Sequence, residues 1–335
     1  MKIAITGGAG FVGSQLARAY LDAGHDVFVI DSLATGSRQT IDPRARFYQI
    51  DVRDSALRQL LQGERPDIVS HHAAQQHEPG TAEHALTDAD VHVRGLINVL
   101  DSCVSASVTH FVFASSGNSM YEPVDSDQLP LNEEHKLYPR SAHDISKVAG
   151  EWYVRYYSQQ YGLTHTIVRY ADIYGEGNSP RARHPLSYFI QMLMQRQRSI
   201  IYGTGNELRD HIFIDDIIRA HLLMIKNFTR TENITMHLSS GHGYSLNKLY
   251  HMAAAALESD IEPIYLGGPY LKASSVILDN TRARHILGWQ PQVSLSEGVR
   301  MAVGRLLPGK EMQPQRLTPQ PAPVRLRAAT TLTRA

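Results

Sequence analysis

The chain has 335 residues, 42% hydrophobic and 20% charged, enough apolar material for one large or two closely joined soluble domains. Lys+Arg and Asp+Glu both number 33, a balance that argues against nucleic acid or an anionic membrane as a standing partner. With one cysteine, Cys103, no charged-then-apolar leader and no apolar run near the roughly 20 residues of a membrane span, a cytoplasmic protein without disulfides is expected.

Residues 2–6 (KIAIT) read as a short buried strand, followed by glycines and an amphipathic segment to about Leu21 that Gly24 ends. Asp26–Asp31, Phe47–Ile50, Asp67–His71 and His110–Ser115 continue the strands, with helical stretches between them. A long helix is expected from Asp144 to Tyr161 and another strand over Thr164–Tyr170. This βαβ alternation predicts an α/β fold, a Rossmann-type doubly wound, mostly parallel sheet with helices on both faces. After Tyr170 the rhythm changes, with a polar loop at 175–185 and helices near 186–197, 215–227, 245–258 and 294–306. A first domain over 1–172, with a return segment near 208–238, and a smaller C-terminal α/β portion over 173–307 follow from this. The Pro-, Gln-, Thr- and Arg-rich stretch 308–335 reads as a disordered tail.

The segment Thr6-Gly7-Gly8-Ala9-Gly10-Phe11-Val12-Gly13 lies between a strand and a helix. Gly7 permits a tight turn, Gly10 lets backbone approach a pyrophosphate, and Gly13 lets the helix pack close to the strand. Free N–H groups at Phe11 and Val12 and the positive end of the helix dipole complete an anion site. Asp31 closes the second strand 18 positions after Gly13, where a carboxylate accepts from the ribose hydroxyls of adenosine and repels a 2′-phosphate. NAD is therefore expected over NADP, with Arg38 as the residue able to weaken that preference. Seventeen histidines invite a metal reading, but no ligand spacing supports one, and none is expected.

Several separated motifs then resemble, in order, the NAD-dependent epimerase/dehydratase family of extended short-chain dehydrogenases, over roughly residues 1–306. They are TGGAGFVG at 6–13, DSLATGSR at 31–38, DVRD at 51–54, HHAAQ at 71–75, FASSGNSMY at 113–121, SKVAGE at 146–151, RYADIYG at 169–175, YGTGNELRDHIFIDDI at 202–217 and LGWQP at 287–291. Among its branches the chain is most similar to UDP-glucose 4-epimerase-like and UDP-uronate 4-epimerase-like enzymes. The resemblance implies cofactor contacts at Asp51, Val52, Ala73, Ala74, Gln75, His92, Lys147 and Tyr170. It also implies substrate contacts at Asp172, Arg209, Asn118 and Lys272, a nucleotide-sugar substrate with UDP favoured, and a homodimer built on helices at about 92–106 and 144–161. Val148, Trp152 and Tyr156 supply the apolar stripe of the second helix.

The family oxidises a sugar carbon, usually C4, with a Tyr-x-x-x-Lys pair and a Ser or Thr. Here the residue four before Lys147 is His143, and His92 stands where the family carries asparagine. The Tyr244–Lys248 pair has the right spacing but lies in the other half of the chain. Ser141-x-x-Asp144 has capping-box spacing, which sets His143 and Lys147 at i and i+4 on one helix face. The nearby ammonium and the helix N-terminus favour a neutral imidazole able to accept a proton near neutral pH. Ser116, with Ser115 as the alternative, is the expected hydroxyl. Gly117-Asn118-Ser119 offers no carboxylate for dehydration or decarboxylation. An NAD-dependent nucleotide-sugar epimerase, acting at C4 through a transient keto sugar, is thus the leading expectation. The alternatives are a dehydrogenase or ketoreductase, a 4,6-dehydratase-like enzyme, or a non-catalytic sugar-nucleotide-binding homologue. Arg209 could instead be a surface ion pair with Asp210 or Asp215.

Overall fold

In the computed structural model, residues 1–75, 85–175, 184–267 and 274–306 are described. The strands are β1 (Lys2–Thr6), β2 (Asp26–Ile30), β3 (Arg46–Tyr48), β4 (Ile68–His71), β5 (His110–Ser116), β6 (Thr164–Tyr170), β7 (Asp172–Tyr174), β8 (Ile200–Tyr202), β9 (Leu208–Phe213), β10 (Ile234–Leu238), β11 (Gly243–Ser245) and β12 (Ile264–Leu266). The helices are α1 (Phe11–Asp22), α2 (Ala56–Glu64), α3 (Ala85–Ala89), α4 (Gly95–Ser105), α5 (Ala142–Tyr161), α6 (Pro185–Met194), α7 (Ile214–Lys226), α8 (Leu246–Ala256), α9 (Thr281–Leu287) and α10 (Leu295–Leu306).

Seven strands form one parallel sheet in the order β10-β6-β5-β4-β1-β2-β3. Alternate side chains leave opposite faces of each strand, so one apolar run feeds two cores. Ile3, Ile5, Val27 and Val29 pack with Leu16, Ala17 and Tyr20 of α1 and with Ile217, Ala220 and Met224 of α7. Ala4, Phe28, Ile30, Phe111 and Phe113 pack with Leu57 of α2, Leu96 and Leu100 of α4 and Val154 of α5. The first core continues into the second half through Phe189, Tyr250, Trp289 and Val303.

The chain returns to the main sheet at β10, which pairs with β6, after passing through a small sheet of order β11-β9-β7. β8 and β12 form a further parallel pair. Residues 208–238 thus divide between the two halves: β9 belongs to the small sheet, α7 and β10 to the large one. The helix over 281–287 was not expected from the sequence, and its seven residues are too short for a clear period. The proposed tail, 308–335, and Arg181 and Arg183 of the polar loop lie outside the described residues. Among the described residues no helix is long and apolar enough to cross a membrane.

Candidate active site

Strand order reverses at β1, whose neighbours are β4 and β2, and the crevice beyond the carboxyl ends of such strands is where open α/β sheets take ligands. Gly7 turns there with φ of +70°, and a Cβ on it would lie 2.5 Å from the Ala73 nitrogen. A Cβ on Gly13 would lie 2.4 Å from the Gly7 carbonyl, so α1 starts directly on the turn. Gly10 differs. A Cβ there meets only the Gly7 oxygen, at 3.2 Å, and otherwise points into open space. Gly10 is also the N-cap of α1, with no capping side chain and no acidic residue in the first turn. The first-turn N–H groups at Phe11 and Val12 therefore have no intrahelical acceptor, and the open side of Gly10 is a cradle for an anion.

Asp31, just beyond β2, accepts from the Ala9 N–H at 2.9 Å and the Leu33 N–H at 2.8 Å. Its carboxylate both caps its own turn and ties that turn to the glycine loop at the rim of the cradle. Arg38 is exposed, with its guanidinium 4.1 Å over the Phe47 ring. Asp51 binds Arg53 at 2.8 Å, and the hydrogen bond from Arg53 holds its carboxyl below the usual range. Val52 is buried against Gly95, while Ala73, Ala74 and Gln75 follow β4 opposite the glycine turn. The glycine geometry, the bare helix start and the acidic rim fit a dinucleotide.

The second wall is the start of α5. Ser141 is its N-cap and accepts from the Asp144 N–H at 3.1 Å. The Asp144 carboxylate does not close the reciprocal half of a capping box; it takes the Ser119 hydroxyl instead. One turn apart on α5 stand His143, one-third exposed, and Lys147, buried. Lys147 donates from Nζ to the Ala114 carbonyl at 2.7 Å and lies over the Phe113 ring. Burial pushes its ammonium down to about 8, opposed by the charges of Asp88 and Glu151. Ser116 closes β5, half-buried. The Ser115 hydroxyl is committed to Glu151 at 2.7 Å, which leaves Ser116 as the hydroxyl for the site.

Behind His143 lies a group that sequence spacing did not disclose. Between α3 and α4 the helix widens for one turn, Asp90–Arg94, with the Gly95 N–H bonded back to the Asp90 carbonyl. Such wide turns recur at functional sites. This one carries His92, whose Nε2 accepts from the Gln75 N–H at 3.0 Å. Its Nδ1 lies 3.1 Å from both the Asp88 carbonyl and Asp88 Oδ1. Asp88 Oδ2 is 3.7 Å from Nδ1 of His143, and the two imidazoles meet edge to face at 4.9 Å. The Asp88-x-x-x-His92 spacing was the available signal.

Ligand atoms of Asp88, His92 and His143 lie within 4.8 Å of one another, close enough for a metal ion. The hydrogen bonds fit one poorly. Because Nε2 of His92 accepts a backbone N–H, its proton sits on Nδ1, the very atom a metal would need. A metal on Nδ1 would turn Nε2–H against the Gln75 N–H, donor against donor. Burial, Lys147 and His143 together push His92 down to about 4, so it stays neutral.

In the substrate half, Arg209 on β9 donates from Nε to Asp172 on β7 at 3.3 Å. It pairs with neither of the carboxylates expected from the sequence: Asp210 turns inward to accept from Ser240, Gly241 and Leu278. Burial acts to raise the Asp172 carboxyl, but Arg209, His211 and His184 outweigh it and hold it at about 2. Asn118 is buried beside Asp210, donating to its carbonyl at 3.4 Å. Lys272 lies outside the described residues. Tyr170 ends β6 with its hydroxyl turned inward to His221 at 2.6 Å. Tyr138 is exposed, and Tyr244 and Lys248 stand on β11 and α8, apart from the cradle.

A family profile described as the NAD dependent epimerase/dehydratase family matches residues 3–237. A UDP-glucose 4-epimerase of Lactobacillus helveticus is 31% identical over 310 residues, covering 87% of this chain and 92% of its own. Among solved structures, a UDP-glucose 4-epimerase of Thermotoga maritima with UDP-glucose superposes with a TM-score of 0.87 at 30% identity, covering 91% of this chain and 98% of that one. One from Thermus thermophilus, in complex with NAD, gives 0.85 at 27% identity, covering 92% and 100%.

Proposed function

From its membership of the NAD-dependent epimerase/dehydratase family, to which this chain belongs, we propose that it is an NAD-dependent nucleotide-sugar 4-epimerase with His143 as the proton acceptor. The observation that carries this reading is the His143–Lys147 pair on the first turns of α5, with Lys147 tied to β5 and His143 against the His92 that holds the segment after β4. Bound NAD would supply the hydride acceptor for the sugar carbon. His143 takes the hydroxyl proton as the keto sugar forms, and returns it when hydride is delivered to the other face. Ser116 orients the sugar oxygen. Lys147 anchors the nicotinamide ribose. Phe11, Val12, Asp31, Asp51, Val52, Ala73, Ala74, Gln75, His92 and Tyr170 line the dinucleotide, and Asn118, Asp172, Arg209 and Lys272 serve the substrate. UDP is the favoured nucleotide, in keeping with the relatives.

The test is incubation of the NAD-loaded protein with UDP-glucose, UDP-N-acetylglucosamine and UDP-glucuronate, with the 4-epimers separated by chromatography. Interconversion of at least one pair without net accumulation of reduced cofactor is expected. Net reduction would make it a dehydrogenase, and no conversion on the full panel would refute the reading.

The protein is proposed to act as a cytoplasmic homodimer. Ile145, Trp152 and Tyr156 are exposed on α5, a large apolar face for a monomer. Light scattering should return twice the 37.4 kDa chain mass; the monomer mass would refute it.

A further inference from the structure

We propose that Asp88 is a positioning residue for the proton acceptor, its buried carboxylate bridging His92 and His143 and holding His143 in the tautomer whose Nε2 faces the substrate. The inference deepens the reading of His143 as base and rests on it. Asp88 is 0% exposed, on the last turn of α3. A carboxylate taken wholly out of water needs partners. One oxygen lies 3.1 Å from Nδ1 of His92, the other 3.7 Å from Nδ1 of His143.

The first contact is set from outside: the Gln75 N–H occupies Nε2 of His92, so the proton on Nδ1 faces Asp88, bonded to its backbone carbonyl at 3.1 Å with carboxylate Oδ1 equally near. Oδ2 is the carboxylate oxygen on the His143 side. At 3.7 Å this contact is an ion-pair distance, longer than a settled hydrogen bond. Catalytic contacts of this sort tighten when substrate and cofactor fill the site. A proton on Nδ1 of His143 leaves Nε2 as the lone pair that accepts from the sugar hydroxyl. The balance is simple: the O–H bond breaks, its proton goes to Nε2, the C–H pair leaves as hydride to NAD, and a ketone forms. The imidazolium produced then lies beside a carboxylate that stabilises it, the logic of an aspartate behind a histidine base.

Among the described residues, Asp88 on α3 favours the charged form of the ring, and His92 in the wide turn and Lys147 one turn along its own helix do not. Replacing Asp88 by the isosteric amide removes the favourable charge. The acid limb of the rate profile of D88N should therefore move to lower pH, while kcat falls at least about 10-fold.

The experiment uses wild type, Asp88→Asn, His143→Phe and the double variant, each with NAD affinity measured as a check on folding. Expected are a low kcat with near-normal NAD affinity in Asp88→Asn, an acid limb displaced downward, and no added loss when Asp88→Asn is placed on His143→Phe, because the carboxylate acts through the imidazole. A loss that adds fully in the double variant overturns the relay. So does wild-type kcat and pH profile in Asp88→Asn. If His143→Phe itself keeps wild-type turnover, the base assignment has failed and the relay falls with it; impairment of His143→Phe alone leaves the base standing and removes only the relay.

One readout needs no variant at Asp88. In protein labelled with ¹⁵N-histidine, with His143 assigned by its loss in His143→Phe, Nδ1 should carry the proton and Nε2 should not. The opposite tautomer, or a dialysis-resistant divalent cation at one per chain, would overturn the proposal.

Discussion

Gly10 and Gly13 sit three residues apart in one motif, yet the structure assigns them different jobs, and alanine at each should separate the two. At Gly13 a methyl group would stand 2.4 Å from the Gly7 carbonyl oxygen and 2.8 Å from the Gly8 Cα. Both are backbone atoms in a turn pinned by the Gly7 N–H to the Ile30 carbonyl at 2.9 Å. The first contact falls about 1 Å short of van der Waals separation, so α1 must shift, at about 1–3 kcal/mol for overpacking. That corresponds to a Tm loss of about 1.5–4 °C in a chain of this size. At Gly10 the backbone has φ −83° and ψ 177°, open to any residue, and only one atom lies near a Cβ, at 3.2 Å. The loss of an N-cap glycine and the gain from a stiffer unfolded chain nearly offset, leaving a change under about 1 kcal/mol. The methyl group instead fills the face where a pyrophosphate must approach the first-turn N–H groups. Losing one charge-assisted hydrogen bond is worth about 1.5–3 kcal/mol, a fall of about 10- to 100-fold in NAD affinity. Calorimetric titration with NAD and a thermal melt on both variants decide it. Gly10→Ala should keep its Tm and lose affinity, and Gly13→Ala should lose both. Unchanged NAD affinity in Gly10→Ala would show that the open side of the turn is not the cofactor cradle.

The carboxylate of Asp31 should make NAD bind at least about 10-fold more tightly than NADP, since a 2′-phosphate would meet it; equal affinity by calorimetry would shift attention to Arg38. Arg169→Met should destabilise by up to about 3 kcal/mol in urea unfolding, because the bidentate Arg169–Glu151 pair, at 2.8 and 2.7 Å, is buried and its loss leaves Glu151 only Ser115 and the more exposed Arg155. Burial acts to raise Glu151, but Arg169 and Ser115 outweigh it and hold its carboxyl below the ordinary glutamate range, so the wild-type advantage is fully present at neutral pH and is lost as pH falls through the folded-state value; an advantage that grows toward acid would contradict the pairing. Asp172→Asn, by removing the carboxylate that holds Arg209 in place at the substrate, should raise KM for the nucleotide sugar with kcat little changed; an unchanged KM would remove the pair from the substrate site.

The large sheet was legible because its strands are buried on both faces and punctuated by glycine. Thr164–Tyr170 and the start of α1 after Gly10 fall where the pattern put them. Ser141 announced α5, since an N-cap serine has a local cause that no distant contact overrides. The partner of Arg209 was not legible: β7 and β9 are aligned only by the small sheet, and that alignment brings Asp172 to the guanidinium. The Asp88–His92–His143 cluster was hidden for the same reason, its two halves joined only by the packing of α5 against α3 and the wide turn. Several of the seventeen histidines are core residues bonded to hydroxyls: His71 to Thr6, His110 to Thr164 and Thr166, His221 to Tyr20 and Tyr170.

The central claim is that His143 takes the proton as hydride leaves the sugar carbon. It is tested most directly by mixing NAD-loaded wild type and His143→Phe with a sugar nucleotide that wild type turns over, and following reduced nicotinamide in a single turnover. The account predicts hydride transfer at least about 100-fold slower in His143→Phe, with NAD affinity nearly unchanged. Equal rates in the two proteins would contradict it.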